Sequence, residues 1–139
     1  MNQVQNICLV DDDDLFHFIT KKVIERTDLV KNIKVFYNGR EAIHFLESAL
    51  SLMEELPDVI LLDLNMPVMD GWEFLEEFIS LKPKLGKKIS IYIVSSSNDP
   101  ADIMKAKSIS EVTDFVIKPV TEAKFVEMIQ GLLSGSGKE

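Results

Sequence analysis

The residues Val59-Ile60-Leu61-Leu62 are all apolar, lie between Pro57-Asp58 and a lone carboxylate, Asp63, and show no alternation with polar positions. A strand with one wet face alternates, whereas a strand without alternation is covered on both faces, as in a parallel sheet held between helices. That one run demands a layered α/β fold with helices enough to cover two sheet faces. It also delivers Asp63 to the carboxyl end of its strand, the edge at which open α/β sheets place ligands. An acid there must be exposed, paired or facing a cation, because an unpartnered buried charge is very costly.

The rest of the chain supplies the covering helices and four more strands. Ile7-Cys8-Leu9-Val10 is another short apolar run, and it ends in Asp11-Asp12-Asp13-Asp14. Those acids favour a helix N-terminus, and Phe16, Ile19 and Val23 follow at helical spacing, which predicts a first helix over Leu15–Thr27 with that stripe buried. A brief strand at Ile33–Phe36 precedes Asn38 and Glu41, an Asn-led capping box for a helix with apolar positions Ala42, Phe45, Leu46, Ala49 and Met53. Asp70 and Glu73 form a similar box before a third helix that buries Leu75, Phe78 and Ile79 and breaks at Lys82-Pro83-Lys84-Leu85-Gly86.

Ile89–Val94 reads as the fourth strand, and Asp99-Pro100 opens a fourth helix, to about Ser108, with a poor apolar stripe. Phe115-Val116-Ile117, closed by Lys118-Pro119, is the fifth strand; Phe125, Ile129 and Leu132 share a face of a last helix from Thr121. Five β-α units predict a parallel sheet with helices on both faces; the fold expected is the flavodoxin-like three-layer sandwich, whose five-stranded sheet has the order 2-1-3-4-5 with five helices. One domain is expected over residues 1–133, with 134–139 as a flexible tail.

Charge and cysteine usage narrow the function classes. A net charge of -8 over 139 residues argues against direct nucleic-acid binding, which depends on clustered Lys and Arg. The single cysteine, Cys8, lies in an apolar run and suits a buried thiol in a reducing cytoplasm. No apolar run approaches the length of a membrane span, so no membrane insertion is expected. His17 and His44 have no companion at metal-ligand spacing and are assigned no role.

In the 2-1-3-4-5 order the first and third strands are neighbours, so Asp11 and Asp12 converge with Asp63, while Ser95 and Lys118 end the fourth and fifth strands. Two carboxylates about 4 Å apart repel by roughly 4 kcal/mol at an effective dielectric near 20, so three together need a cation or a shifted protonation state. A divalent metal with one lysine balances three ionised acids, and an oxygen-only site suits Mg²⁺. A metal beside a carboxylate, a lysine and a hydroxyl is a set of parts for phosphoryl transfer, with Asp63 as nucleophile.

Val10-Asp11-Asp12, Leu62-Asp63-Leu64-Asn65-Met66-Pro67 with Asp70-Gly71, Val94-Ser95-Ser96 and Ile117-Lys118-Pro119 stand in that order along nearly the whole chain. They resemble the signature of the CheY-like receiver domains of two-component response regulators, here of the stand-alone type. The resemblance implies that Asp63 accepts a phosphoryl group from a sensor histidine kinase or a histidine phosphotransfer protein. It implies that Asp12 binds Mg²⁺ directly, Asp11 largely through water, and Asn65 through its backbone carbonyl. Ser95 and Phe115 fill the switch positions and Lys118 the lysine position, so that phosphorylation remodels a face read by a downstream protein target. The protein is then a monomer or a phosphorylation-dependent dimer, and not an independent enzyme. A hydrolase of the haloacid dehalogenase type would need an acid where Asn65 stands, and a flavin-binding module would need a phosphate cradle where four aspartates repel phosphate.

Overall fold

The first strand, β1 (Val4–Val10), lies at the interior of the sheet because Ile7, Cys8, Leu9 and Val10 are all buried, leaving no face for water. The computed structural model describes residues 3–135. Along the chain follow α1 (Asp14–Thr27), β2 (Val30–Phe36), α2 (Gly39–Ser48), β3 (Val59–Leu62), α3 (Gly71–Leu81), β4 (Ser90–Ser95), α4 (Pro100–Lys107), β5 (Val112–Ile117) and α5 (Glu122–Gly135). All strand pairings are parallel, as the β-α alternation predicts, and the order is β2-β1-β3-β4-β5, the flavodoxin-like order expected. Residues 134 and 135, read from sequence as tail, belong to α5, and 136–139 lie outside the described residues.

The period-2 geometry of a strand sends alternate side chains to opposite faces, and each face has its own core. Cys8, Val10, Ile60, Leu62, Ile91 and Ile93 pack with Leu46 of α2 and Phe74 and Phe78 of α3. Ile7, Leu9, Val59, Leu61, Tyr92 and Val94 pack with Ile24 of α1 and Phe125 and Ile129 of α5. The covering of both faces explains the unbroken apolar run in β3, whose four residues are all buried. Cys8 is buried as expected, and burial pushes its thiol pKa up to about 12, so it is an inert part of the core.

Three packing expectations fail. In α1 the buried residues are His17, Thr20 and Ile24, while Ile19 is 48% exposed and Phe16 and Val23 only half-buried. The helix is rotated by about one residue from its apolar stripe, bringing His17 under the sheet edge, where it finds a polar partner described below. In α3, Leu81 is buried and Ile79 is 42% exposed. Met53 is not in α2, which stops at Ser48; it opens a short 3₁₀ turn, is half exposed, and lies over Gly86.

Three caps hold where the sequence places them. Asp70 and Glu73 form a complete capping box on α3, and Asp99 accepts from Ala101 N on α4. Asn38 accepts from Glu41 N on α2, but the Glu41 carboxylate accepts from Tyr37 N instead of returning to Asn38. The weak stripe of α4 is matched by its packing, since Ala106 is its one buried residue among those described.

The start of α3 presses against the end of β3. A Cβ on Gly71 would lie 2.5 Å from the Asp63 carbonyl oxygen and 2.9 Å from Leu64 Cα, both main-chain atoms that cannot turn aside. Gly71→Ala is therefore expected to destabilise the protein by about 1–3 kcal/mol, as overpacking does, measured by urea unfolding. A stability equal to wild type would show that the α3 entry yields easily.

Candidate functional site

The site is built by strand register. The last β1·β3 pair is Val10 with Leu62, and Asp63 N donates to Val10 O at 2.9 Å, so Asp11 and Asp63 leave adjacent strands at the same level. One carboxylate oxygen from each of Asp11, Asp12 and Asp63 lies within 4.8 Å of the others. Asp11 and Asp63 are buried and Asp12 is exposed. Asp13 and Asp14 are engaged elsewhere: Asp13 caps α1 by accepting from Leu15 N, and Asp14 accepts from the Tyr37 hydroxyl.

Lys118 enters from β5. Its N–H donates to Ser95 O at 2.8 Å, tying the ends of β4 and β5, and the Lys118–Pro119 peptide is cis. Lys118 Nζ stands 2.8 Å from Asp11 Oδ2 and 3.9 Å from Asp63 Oδ1, and 4.6 Å above the Phe16 ring. The single lysine is shared between two acids and favours Asp11. Burial and the neighbouring Asp11 charge together push the Asp63 carboxyl up to about 6, against a smaller opposing pull from Lys118.

Asp11 Oδ2 is buried and, apart from that ion pair, receives no hydrogen bond. A buried oxygen with spare lone pairs, beside two further carboxylates in a cluster that holds no histidine or cysteine among the described residues, is chemistry that fits a hard cation such as Mg²⁺.

The remaining sequence candidates lie on β4, β5 and the loop after β3. Ser95 is fully buried at the tip of β4, and its Oγ accepts from Ser97 N at 3.1 Å. Phe115 is half-buried on β5 and packs against the core shared with α3. Asn65 is exposed on the loop after β3. That loop also holds Val68 at φ 68°, an uncommon conformation for a β-branched residue and a mark of local strain beside the site.

Two residues with no assigned role, His17 and Phe16, prove to touch the site, and Ser97, which the resemblance places two positions beyond Ser95 as an influence on self-dephosphorylation, ties it to α4. His17 binds the Asp11 carbonyl, Phe16 lies beneath Lys118, and Ser97 Oγ donates to Asp102 Oδ2 at 2.9 Å, joining the β4–α4 loop to α4. The Phe16 contact has no sequence signal because Lys118 comes from the end of β5, and the His17 contact has none because it depends on which face α1 turns inward, although Asp11 stands only six residues earlier.

Residues 7–130 match the response regulator receiver domain family. A response regulator structure from Cytophaga hutchinsonii is 30% identical, covers 95% of this chain and 98% of its own, and superposes with a TM-score of 0.87. The Mn²⁺-bound form of response regulator Rcp1 is 27% identical, with 93% of this chain and 91% of its own covered and a TM-score of 0.69. The protein-glutamate methylesterase/protein-glutamine glutaminase of Treponema denticola is 34% identical over 114 residues, which are 81% of this chain and 28% of that protein. The chain thus spans only about a quarter to a third of the methylesterase relatives it matches, with shares of 26–35%. Among the described residues, no helix is long and apolar enough to cross a membrane. With the strand order, the acid cluster at the sheet's carboxyl edge and a family match over most of its length, the chain belongs to the response regulator receiver domain family of phosphoacceptor signalling proteins.

Proposed function

We propose that Asp63 is the phosphoacceptor, loaded by a sensor histidine kinase or a histidine phosphotransfer protein. The observation that carries this is the three-carboxylate cluster with one lysine shared between Asp11 and Asp63. Asp11, Asp12 and Asp63, with the Asn65 backbone carbonyl, would hold Mg²⁺. When bound, the ion supplies the positive charge that three acids and one lysine lack, and neutralises charge on the phosphoryl oxygens.

The chain's own residues do the rest. An Asp63 Oδ attacks phosphorus; the P–O bond forms as the P–N bond of the donor's phosphohistidine breaks, and the departing imidazole nitrogen takes a proton from water. Lys118 Nζ and Ser95 Oγ bind phosphoryl oxygens as charge shifts onto them. Ser95 Oγ can donate to a phosphoryl oxygen while it accepts from Ser97 N, and through Ser97 that loop is tied to Asp102 of α4, so movement of Ser95 reaches α4. Movement of Ser95, with Phe115 turning into the vacated space, biases a face for a downstream protein target. The reaction occurs on the protein's own side chain, so the activity is signalling and not turnover of a separate substrate. We place the protein in the cytoplasm, acting as a receiver or relay intermediate, monomeric or dimerising on phosphorylation.

With Mg²⁺ and acetyl phosphate, intact mass should show one added phosphoryl group on wild type and none on Asp63→Asn. Label retained by the mutant would sink the assignment. On the donor side, Leu15, Phe18 and Ile19 are exposed on the helix that leaves the pocket, a patch fit for an apolar partner surface. Phe18→Glu is expected to slow transfer from a histidine-bearing protein donor by about tenfold, equivalent to roughly 1.4 kcal/mol of docking energy, and to leave acetyl phosphate labelling unchanged. Equal slowing with both donors would place Phe18 in the chemistry and not in docking.

A further inference from the structure

We infer that His17 is a positioning residue for Asp11, its Nε2–H holding the Asp11 main-chain carbonyl so that the pocket is set before any ion enters. The inference rests on the reading of Asp11 as part of a Mg²⁺ site. His17 Nε2 lies 2.7 Å from Asp11 O in a fully buried contact, and the ring itself is only 4% exposed. A carbonyl oxygen can only accept, so Nε2 carries the proton. Nδ1 is buried and has no hydrogen-bond partner among the described residues, which is the place for a bare lone pair and not for an N–H.

The ring cannot easily turn away. Tyr37 and Phe16 both meet it edge-on, with centroids 5.1 Å and 5.8 Å away, and the Tyr37 hydroxyl donates to Asp14 at 2.7 Å. The helix N-terminus is thereby closed over the ring. Every polar atom of Asp11 is then occupied: its N–H donates to Phe36 O at 3.0 Å, its O accepts from His17, Oδ1 accepts from Asp13 N at 3.0 Å, and Oδ2 pairs with Lys118. Three of these contacts are to main chain or to a lysine that any receiver-like pocket would need for its charge. The fourth is a buried side chain spent on a backbone oxygen, and it accounts for why α1 turns His17 inward at the expense of Ile19. Partners that orient a metal-binding group without touching the metal typically change affinity by about 10–100-fold when removed.

The test uses wild type, His17→Leu, which removes the donor, and His17→Gln, whose amide nitrogen reaches as Nε2 does. Calorimetric titration with Mg²⁺ should show affinity reduced about tenfold or more in His17→Leu and kept within about threefold in His17→Gln. A merely structural role would lower thermal stability without moving the affinity of the folded protein. In metal-free wild type, long-range ¹H–¹⁵N spectra should show the proton on Nε2, and amide exchange at Asp13, whose N–H rests on Asp11 Oδ1, should quicken in His17→Leu. Wild-type affinity in His17→Leu, equal loss in both variants, or a ring protonated on Nδ1 would each overturn the inference. If wild type itself binds no Mg²⁺, the metal-site reading fails, and the Asp13 exchange rate still decides whether His17 positions Asp11. If His17→Leu does not fold, the tautomer of the wild-type ring decides it.

Discussion

Without metal at pH 8, Asp63→Asn is expected to be more stable than wild type by about 2–3 kcal/mol, although it has lost the function of the site. The folded Asp63 carboxyl sits at about 6 against an ordinary 3.8, raised first by burial and then by Asp11. At about 1.4 kcal/mol for each pKa unit, the shift corresponds to a burden of that size on the folded state. The sign follows from linkage: a carboxyl whose folded pKa is raised binds its proton more readily when folded. Its burden is absent below about pH 4, grows between about pH 4 and 6, and is constant above. The advantage of Asp63→Asn over wild type should therefore appear across that window and vanish in acid. Saturating Mg²⁺ should narrow the gap, because an ion that binds only the folded state stabilises it by mass action. Urea unfolding of both proteins from pH 4 to pH 8, with and without Mg²⁺, measures all of this. A mutant equal to wild type at pH 8 would mean that Lys118 already neutralises the pocket.

Lys118→Ala should move metal-free stability the opposite way, downward by about 2–3 kcal/mol. Lys118 is the one cation paired with Asp11 among the described residues, and the side chains of the two are 21% and 1% exposed. Removing one partner of a buried pair leaves an uncompensated charge, which costs about 3–5 kcal/mol when burial is complete and less where one partner still meets water. Mg²⁺ affinity should be kept or raised, since a competing cation has been removed from Asp11. Labelling by acetyl phosphate should slow about 100-fold, the usual scale for losing one group that stabilises developing charge. The pairing of normal metal binding with slow labelling separates a lysine that serves the phosphoryl group from one that only supports the acids. Collapse of Mg²⁺ binding in this variant would reverse those roles. Asp63→Asn and Lys118→Ala together make the electrostatic account hard to rescue, because each must shift stability in its own direction.

The elements that were legible in the sequence share a property: their signals are local. Val59–Leu62 and Ile7–Val10 are apolar runs stopped by charge, and the Asp70/Glu73 box and the Asp99-Pro100 entry are caps whose partners lie within one turn. The α1 stripe misled because its apolar residues outnumber what the sheet can accept. Leu15, Phe18 and Ile19 stay in water while His17 and Thr20 go inside, and the partner that makes His17 tolerable is the carbonyl of Asp11, in the loop just before the helix, reached only because the helix turns that face inward. Ile79 and Met53 failed for a related reason, since helical spacing lists the candidates for burial but the neighbouring surface selects among them.

For the site, residue types and their order along the chain were readable, because an acid or lysine at the end of a buried strand has few places to go. That the five strands run parallel followed from β-α alternation, whereas their order was that of the flavodoxin-like fold and not of alternation itself. Which oxygen Lys118 prefers, how close three carboxylates come, and that a histidine braces one of them were decided only by the folded chain. Those quantities depend on strand register and on which helix face meets the sheet, and both are set by how the packed segments fit together and not by the local sequence.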